Sequence, residues 1–401
     1  MVGVRTGLNV RRREAIGLLL AWMVTGCAMP VFMGGPQPPP PAPADSFKVL
    51  TYNTLHGLAV GRFWVRPGET SEEQAARFAL RIRQLGRVQP DLIFLQEVNP
   101  LPQMVTDYVL ALKEQGLSYS EVHQVDACGL RIPGAALIPG LNNGLAILVK
   151  APYEVRKLEG VKLSGTIGGC RDSWGIQLGE LRYALLAEVW MPGSGMRFLA
   201  ATMHLHSGIE RDAEVLDQLS KAHMAGRVMH YDDLMAELVK DQDRRVMELH
   251  SLMHALERYQ AMQQYAGVII GGDLNFEPGS PEYRELELLG YQDTATLAAG
   301  MPRLNTYDPM KNPVAGKEEG ALPPDLSLSI AGETPEDQQA IVERYRNSIS
   351  MPRRIDFLFS MAFMSNACLM QELFGEPTPA GQVGSDHYGV LNTYSYRRKS
   401  C

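Results

Sequence analysis

The sequence lacks several features that would have assigned it to a simple class. It has five cysteines but no Cys-x-x-Cys pair, which argues against a zinc site built from cysteines. It has no long basic run, and a net charge of −7 argues against tight, nonspecific binding of nucleic acid. No internal repeat is visible. The 401 residues are 45% hydrophobic, which is ample for a large core in one domain or two.

Residues 1–26 are predicted to be a targeting segment. A basic head with arginines at 5 and 11–13 precedes an apolar stretch at 15–24 that is too short for a comfortable membrane span. The following Val-Thr-Gly-Cys resembles a bacterial lipobox, so we expect acylation of Cys27, export to the bacterial cell envelope and attachment to the membrane through this lipid. An ordinary signal peptide or an uncleaved anchor is the alternative. Cleavage would lower the formal charge from −7 to −10, because four arginines and one glutamate are lost.

Residues 27–45 are predicted to form a proline-rich tether, and the folded domain is predicted to span 46–397. Within it, residues 208–264 and 311–350 are predicted to be insertions, the first of them helical. Four cysteines remain after cleavage, and in an exported protein they permit two disulfides in any of three pairings. The preferred bridge joins Cys128 to Cys170.

Short apolar strands alternate with helices in the folded part. The region 71–86 is predicted to be a helix, because Ser71 can cap it, Glu72 and Glu73 suit a first turn and apolar residues recur at helical spacing. Many strands with interspersed helices predict an α/β fold, here a four-layer α/β sandwich with two packed, mainly antiparallel sheets flanked by helices. Strands are predicted at residues 47–52, 91–98, 144–149, 197–203, 268–271, 354–359 and 388–394.

Polar side chains lie at the ends of these strands or beside them. Each one alone has an ordinary explanation, as a cap, a turn residue or a solvated strand end. Strand ends on one rim of a sandwich can converge, however, and acids with histidines there make a site for a metal and for proton transfer. The residues in question are Asn53, Glu97, His204, Asp273, Asn275, Asp356, Asp386 and His387.

This ordered set resembles the endonuclease/exonuclease/phosphatase superfamily, which has the fold of deoxyribonucleases of the pancreatic type. Gly-Asp-x-Asn with a terminal Ser-Asp-His is a specific combination, and the matches span about residues 46–396. The resemblance implies a metal-dependent phosphodiesterase. The matching runs are Thr51-Tyr52-Asn53, Gln96-Glu97-Val98, Asn143-Gly144-Leu145-Ala146, His204-Leu205-His206, Gly272-Asp273-Leu274-Asn275, Arg354-Ile355-Asp356-Phe357 and Ser385-Asp386-His387.

The metal implied by the resemblance is Mg²⁺, or another divalent cation such as Mn²⁺ or Ca²⁺. Glu97 is expected to be the direct ligand, with Asn53 and Asp386 near the ion, because magnesium prefers oxygen ligands. One departure concerns Leu55, since abasic-site endonucleases carry an acidic residue there. This argues against a role in DNA repair.

Catalytic roles follow partly from chemistry and partly from the resemblance. His387 is expected to be the general base that activates water, and Asp356 to orient its ring. Asp273 and Asn275 are expected to position the attacking water and the phosphate. His204 is expected to stabilise the transition state or to protonate the leaving oxygen. The division of these roles between His204 and Asp273 stays open.

The substrate is expected to be a phospholipid, because three runs resemble the bacterial sphingomyelinase branch of the superfamily. They are Thr202-Met203-His204-Leu205-His206, Thr306-Tyr307-Asp308-Pro309-Met310-Lys311-Asn312 and Ser385-Asp386-His387-Tyr388. The apolar stretch 129–141 could enter a headgroup layer, or it could pack onto the sandwich.

Three alternatives stay open: an exported nuclease of the deoxyribonuclease type, a phosphatase on a soluble phosphate ester, and a non-catalytic lipoprotein binding module. Scattered basic residues favour a substrate with a single phosphate, and nucleic acid is a possible but less favoured partner.

Overall fold

A computed structural model describes most of the folded domain. The chain divides into two units, Met1–Pro40 and Pro41–Cys401, and all described residues belong to the second. The predicted signal segment, the tether and Cys27 lie outside the described residues. None of the described helices combines the length and the apolar character needed to cross a membrane. The described residues are 46–55, 70–127, 143–165, 167–171, 174–178, 181–206, 220–221, 223–226, 231–298, 304–315, 334–335, 339, 351–365 and 367–395.

Two six-stranded sheets form the centre of the domain. The first sheet has the order β13 (Cys368–Phe374), β14 (Gly389–Ser395), β1 (Ser46–Asn53), β2 (Leu92–Val98), β4 (Asn143–Lys150) and β3 (Tyr119–Ala127). The second has the order β11 (Gln292–Asp293), β12 (Asp356–Met361), β10 (Val268–Asp273), β9 (Met196–His204), β8 (Arg182–Met191) and β5 (Glu154–Ser164). A separate hairpin pairs β6 (Ile167–Arg171) with β7 (Trp174–Leu178).

Each sheet is antiparallel except for one parallel pair near its centre. In the first sheet this pair is β1 with β2, and in the second it is β9 with β10. Parallel neighbours place their carboxyl ends at the same edge of a sheet. Each sheet therefore brings two strand ends together on one rim of the sandwich.

Five described helices complete the domain: α1 (Ser71–Val88), α2 (Gln103–Glu114), α3 (Tyr231–Met262), α4 (Pro281–Leu288) and the short α5 (Thr294–Leu297). Ile82 of α1 and Leu112 of α2 pack on the outer face of the first sheet. Leu252 of α3 and Leu286 of α4 pack on the outer face of the second. The predicted four-layer α/β sandwich with mainly antiparallel sheets is confirmed, and each sheet contains one parallel pair.

A hydrophobic core lies between the two sheets. Side chains of both inner faces meet there, including Phe94 and Ile147 from the first sheet and Phe198, Ala200 and Leu358 from the second. These positions alternate along each strand with residues of the outer faces, as the two-residue period of a strand requires. Packing of the inner faces fixes the distance between the strand ends of one sheet and those of the other.

One buried amide ties the sheets together beneath the site. Gln96 of β2 donates from Nε2 to Thr51 Oγ1 at 3.1 Å in its own sheet and to Thr202 Oγ1 at 2.9 Å in the other. All three side chains are fully buried. Since an unpaired buried polar group is costly, this contact favours one lateral alignment of the sheets.

Helix α3 shows that part of the segment predicted as an insertion builds the core. Leu249 and Leu256 of this helix are fully buried against the second sheet. Arg245 forms a buried ion pair of 2.7 Å with Glu282 of α4. The C-terminal half of 208–264 therefore packs on the second sheet as part of the domain core. Most of the second predicted insertion lies outside the described residues.

The cysteines bear on the predicted bridge only in part. Cys170 and Cys368 both take part in disulfides. Cys128 and Cys401 lie outside the described residues, so the Cys128–Cys170 pairing stays a prediction. The stretch 129–141 also lies outside them.

Candidate active site

The predicted site residues come from the strand ends of both sheets. Asn53 ends β1 and Glu97 is the penultimate residue of β2, whereas His204 ends β9 and Asp273 ends β10. His204 and Asp273 are direct neighbours in the parallel register of their strands. Asp356, the first residue of β12, pairs with Asp273 from the other side.

Asn53 joins the carboxylates of the two sheets. Its Nδ2 donates to Glu97 Oε1 at 3.0 Å and to Asp273 Oδ2 at 2.9 Å. Its Oδ1 accepts from the backbone N–H of Leu55 at 2.9 Å. Glu97 adopts a left-handed backbone with φ 55° at a shift in the β2–β4 register, and this irregularity turns its side chain out of the normal alternation. Asn53 thus meets both acids as a hydrogen-bond donor.

His387 lies between two carboxylates. Its Nδ1 is 2.8 Å from Asp356 Oδ2, and its Nε2 is 3.8 Å from Asp273 Oδ2. Asp356 is 0% exposed, and its backbone N–H donates to Thr306 Oγ1 at 3.0 Å. The short contact favours an Nδ1–H that donates to Asp356, which leaves Nε2 facing the carboxylate cluster.

The remaining predicted residues surround this pair. His204 Nε2 lies 3.6 Å from Asp273 Oδ2. The backbone N–H of Asn275 donates to Asp273 Oδ1 at 3.2 Å, and its side chain donates to the carbonyl of Leu205. Asp386 is buried next to His387 and accepts from the Ser385 hydroxyl at 3.1 Å. All eight residues therefore lie on one rim, with Asp273 at the centre.

Comparison with known proteins assigns the family. The sequence model of the endonuclease/exonuclease/phosphatase family matches residues 50–387. The chain belongs to the endonuclease/exonuclease/phosphatase family. Enzymes of this family are metal-dependent hydrolases of phosphate esters, and the carboxylate-rich rim agrees with that chemistry.

Solved structures of the endonuclease/exonuclease/phosphatase fold resemble the chain at low sequence identity. Truncated TDP2 from Caenorhabditis elegans is 16% identical with a TM-score of 0.51, over 87% of this chain and 97% of that one. A family protein from Bacteroides vulgatus is 14% identical with a TM-score of 0.52, over 87% of this chain and 98% of that one. These likenesses concern the fold alone. No curated protein matches the chain.

The charged groups of the site shift one another's pKa values strongly. Burial raises the pKa of Asp273 to about 7, and the neighbouring Asp356 adds to the shift. Burial by itself lowers the pKa of His387, but the carboxylates of Asp356, Asp273 and Asp386 outweigh it and raise that pKa well above its ordinary value. Perturbed pairs of this kind are typical of functional sites.

The donor set fits a divalent cation. The ligand atoms of Glu97, His204 and Asp273 all lie within 4.8 Å of one another, and so do those of Asp273, Asp356 and His387. Two carboxylates beside each other favour a hard cation with oxygen ligands, while an imidazole in the set also suits Mn²⁺. Among the described residues, neither cluster includes Asp386, which was predicted to lie near the ion.

Three residues that support the site had no role assigned from the sequence. Thr306 Oγ1 accepts the N–H groups of Ile355 and Asp356, and its carbonyl accepts the N–H of Tyr388 at 2.6 Å. Asn312 donates to the carbonyl of Ser385 at 2.9 Å. The ring of Tyr307 packs edge-on against His387, with centroids 5.3 Å apart. The 306–312 run was a signal for them, but only the tertiary structure reveals their contacts.

Proposed function

We propose that this protein is a metal-dependent lipid phosphodiesterase that resembles a bacterial neutral sphingomyelinase, cleaving the headgroup ester of a phospholipid with water. One observation carries the catalytic part of the proposal. The Oδ2 atom of Asp273 lies within 3.8 Å of both His204 Nε2 and His387 Nε2, and it accepts the hydrogen bond from Asn53.

The metal would be held by Glu97 and Asp273, with His204 adjacent. A divalent cation there would supply Lewis-acid stabilisation of charge on the phosphoryl oxygens. Asn53 bridges the two carboxylates, and this bridge keeps them at a fixed separation. Among the described residues, few protein oxygens converge here, and this favours Mg²⁺ or Mn²⁺ over Ca²⁺, because Ca²⁺ takes more oxygen ligands.

His387 would take the proton of the attacking water at Nε2. Asp356 holds the Nδ1–H, so that the free nitrogen faces the reaction centre. The water oxygen forms the new bond to phosphorus, the ester bond on the opposite side breaks, and His204 donates a proton to the leaving oxygen. Asn275, whose side chain is held on the Leu205 carbonyl, keeps the loop after β10 in place.

A single phosphate is the preferred target, because the described arginines beside the site already form ion pairs or hydrogen bonds within the protein. Arg354 forms a buried, two-pronged ion pair with Asp293 at 2.8 and 2.7 Å. Arg77 and Arg81 are buried and donate to backbone carbonyls. A polynucleotide would need a row of available basic side chains along its backbone.

Apolar side chains near the site support a lipid substrate. Met310 is 79% exposed, and it lies three residues after Tyr307, whose backbone bridges to both Arg353 and His387. Met351, two residues before Arg353, is 54% exposed. Flexible apolar side chains suit contact with the headgroup and acyl boundary of a bilayer.

The location of the enzyme is part of the proposal. A lipid on Cys27 and the tether 27–45 would hold the domain at the surface of the bacterial envelope, where phospholipid is present. Mass spectrometry of the N-terminal peptide from membranes would test this. A mature N-terminus other than Cys27, or one without lipid mass, would exclude the anchor.

A purified-protein assay separates the proposal from its alternatives. The domain is given Mg²⁺ or Mn²⁺ and offered sphingomyelin vesicles, phosphatidylcholine vesicles, plasmid DNA and p-nitrophenyl phosphate. Release of a phosphorylated headgroup from either vesicle supports the proposal. Cleavage of DNA alone would replace it with an exported nuclease, and turnover of the monoester alone would replace it with a phosphatase.

A further inference from the structure

Two segments that carry site residues extend beyond the pairing of β1 with β14, which would otherwise fix their separation from each other, although Asn53 still pairs with Gln96 of β2. The antiparallel register of β1 and β14 ends at Thr51 opposite Val390. Asn53 lies past that point on one side, and His387 lies past it on the other. Hydrogen bonds of this ladder therefore do not fix the separation of the two residues.

Two arginines of α1 bridge the gap. Arg81 Nη1 donates to the carbonyl of Thr54 at 2.6 Å and to the carbonyl of Gly384 at 3.1 Å. Arg77 Nη1 donates to the same two carbonyls at 3.3 and 3.4 Å, and to that of Leu55 at 3.4 Å. Thr54 directly follows Asn53, and Gly384 precedes Asp386 by two residues. We name Arg77 and Arg81 the arginine clamp.

The clamp is buried beneath the site. Arg81 is 0% exposed, and its guanidinium carbon lies 5.9 Å from the ring of Phe78 and 5.8 Å from the ring of Tyr108. Gly384 lies directly against it, because a Cβ there would come within 2.8 Å of Arg81 Cγ. A buried cation is costly unless its partners are well placed, so the bonds to Thr54 and Gly384 stabilise this position of both segments.

We propose that the arginine clamp positions the two halves of the site relative to each other, with Arg81 as the principal positioning residue. The inference rests on the proposed function, because the positioned groups are its metal-binding and proton-transfer groups. Asn53 sets the Glu97–Asp273 separation, and His387 faces the same carboxylates. A displacement near one ångström at such a site costs about 100-fold in rate.

The test uses Arg81→Met, Arg81→Lys and the matched control Arg83→Met, an exposed arginine on the same helix. Hydrolysis of bis(p-nitrophenyl) phosphate is followed at varied Mg²⁺, and Mg²⁺ binding is measured by calorimetry. For Arg81→Met we expect kcat to fall and the Mg²⁺ dissociation constant to rise, each about 10- to 100-fold, with little change in KM. Arg81→Lys should recover part of both, and Arg83→Met should match the wild type.

Hydrogen exchange of the peptides covering residues 53–55 and 382–388 gives a readout that needs neither activity nor metal. Faster exchange in both segments for Arg81→Met, but not for Arg83→Met, supports the clamp. A folded Arg81→Met with wild-type kcat, Mg²⁺ affinity and exchange overturns it. If Arg81→Met fails to fold, Arg77→Met decides in the same way, with a smaller change expected. A wild type that releases no headgroup from either vesicle in the presence of Mg²⁺ or Mn²⁺ contradicts the proposed function, while exchange still decides the clamp.

Discussion

Asn53 and Asp273 are 220 residues apart in the chain, yet the Asn53 amide donates to the Asp273 carboxylate at 2.9 Å. The contact crosses from one sheet to the other at the rim of the sandwich. It brings the end of β1 to the end of β10 and, through Asp273, to both histidines of the site.

Replacing His387 should abolish most of the activity. We expect His387→Ala to lower kcat by about 100- to 10,000-fold, because the water then lacks its proton acceptor. The measurement is steady-state hydrolysis of the substrate that the purified-protein assay identifies, with folding checked by circular dichroism. His250→Ala, an exposed histidine on α3, is the control and should retain full activity. A His387→Ala protein with more than a tenth of wild-type kcat would refute the assignment.

Asp356→Asn should move the pH profile as well as lower the rate. The Asp356 carboxylate is the foremost of the charges that raise the pKa of His387, and it also raises the pKa of Asp273. Its removal lowers both pKa values, so the acidic limb of the kcat profile should shift to lower pH. An unshifted limb would show that neither group controls the rate.

Removal of the metal should destabilise the wild type but not a variant without the ligands. Mg²⁺ at about 100 times its dissociation constant should stabilise the fold by about 2.7 kcal/mol, since it binds only the folded chain. Thermal unfolding with Mg²⁺ and with EDTA measures this difference. Glu97→Gln should lose most of the difference. An equal Mg²⁺ effect in both proteins would place the cation elsewhere.

Stability without metal should depend on pH through Asp273. Its pKa is about 7 in the folded protein against 3.8 ordinarily, so the folded state holds this proton more tightly. Unfolding then releases a proton between about pH 4 and 7, and stability falls as pH rises through that window. In EDTA, the stability of Asp273→Asn relative to the wild type should therefore increase as pH rises through that window. Urea unfolding at pH 5 and pH 8 tests this, and a difference that does not grow with pH would contradict it.

The buried amide of Gln96 should matter for stability. Gln96→Ala leaves the hydroxyls of Thr51 and Thr202 without their shared donor, at a cost of about 2–3 kcal/mol. Gln103→Ala is the control, because this exposed side chain bonds to Asp107 on the same helix and not across the sheets within the described part of the chain. Urea unfolding measures both variants. Equal stability of the two would mean that the contact between the sheets carries no net energy.

Local pattern identified much of the fold. The strands predicted at 47–52 and 197–203 are β1 and β9, each with ends one residue further out, and the helix predicted at 71–86 is α1. Its cap differs from expectation, since Thr70 rather than Ser71 accepts from Glu73. Several strands of the structure were not predicted. One of them, β5, mixes charged and apolar residues without a buried run, so its periodicity alone is a weak signal.

The sequence by itself determined the family, the sandwich class and which polar residues follow its strands, because these depend on short runs and on their order. The tertiary structure decided which of those residues meet. It placed Glu97, His204 and Asp273 within ligand distance, left Asp386 outside that cluster, and brought Arg81 beneath the site. These contacts join residues far apart in the chain. They depend on how the inner faces of the two sheets pack, and no local pattern records that distance.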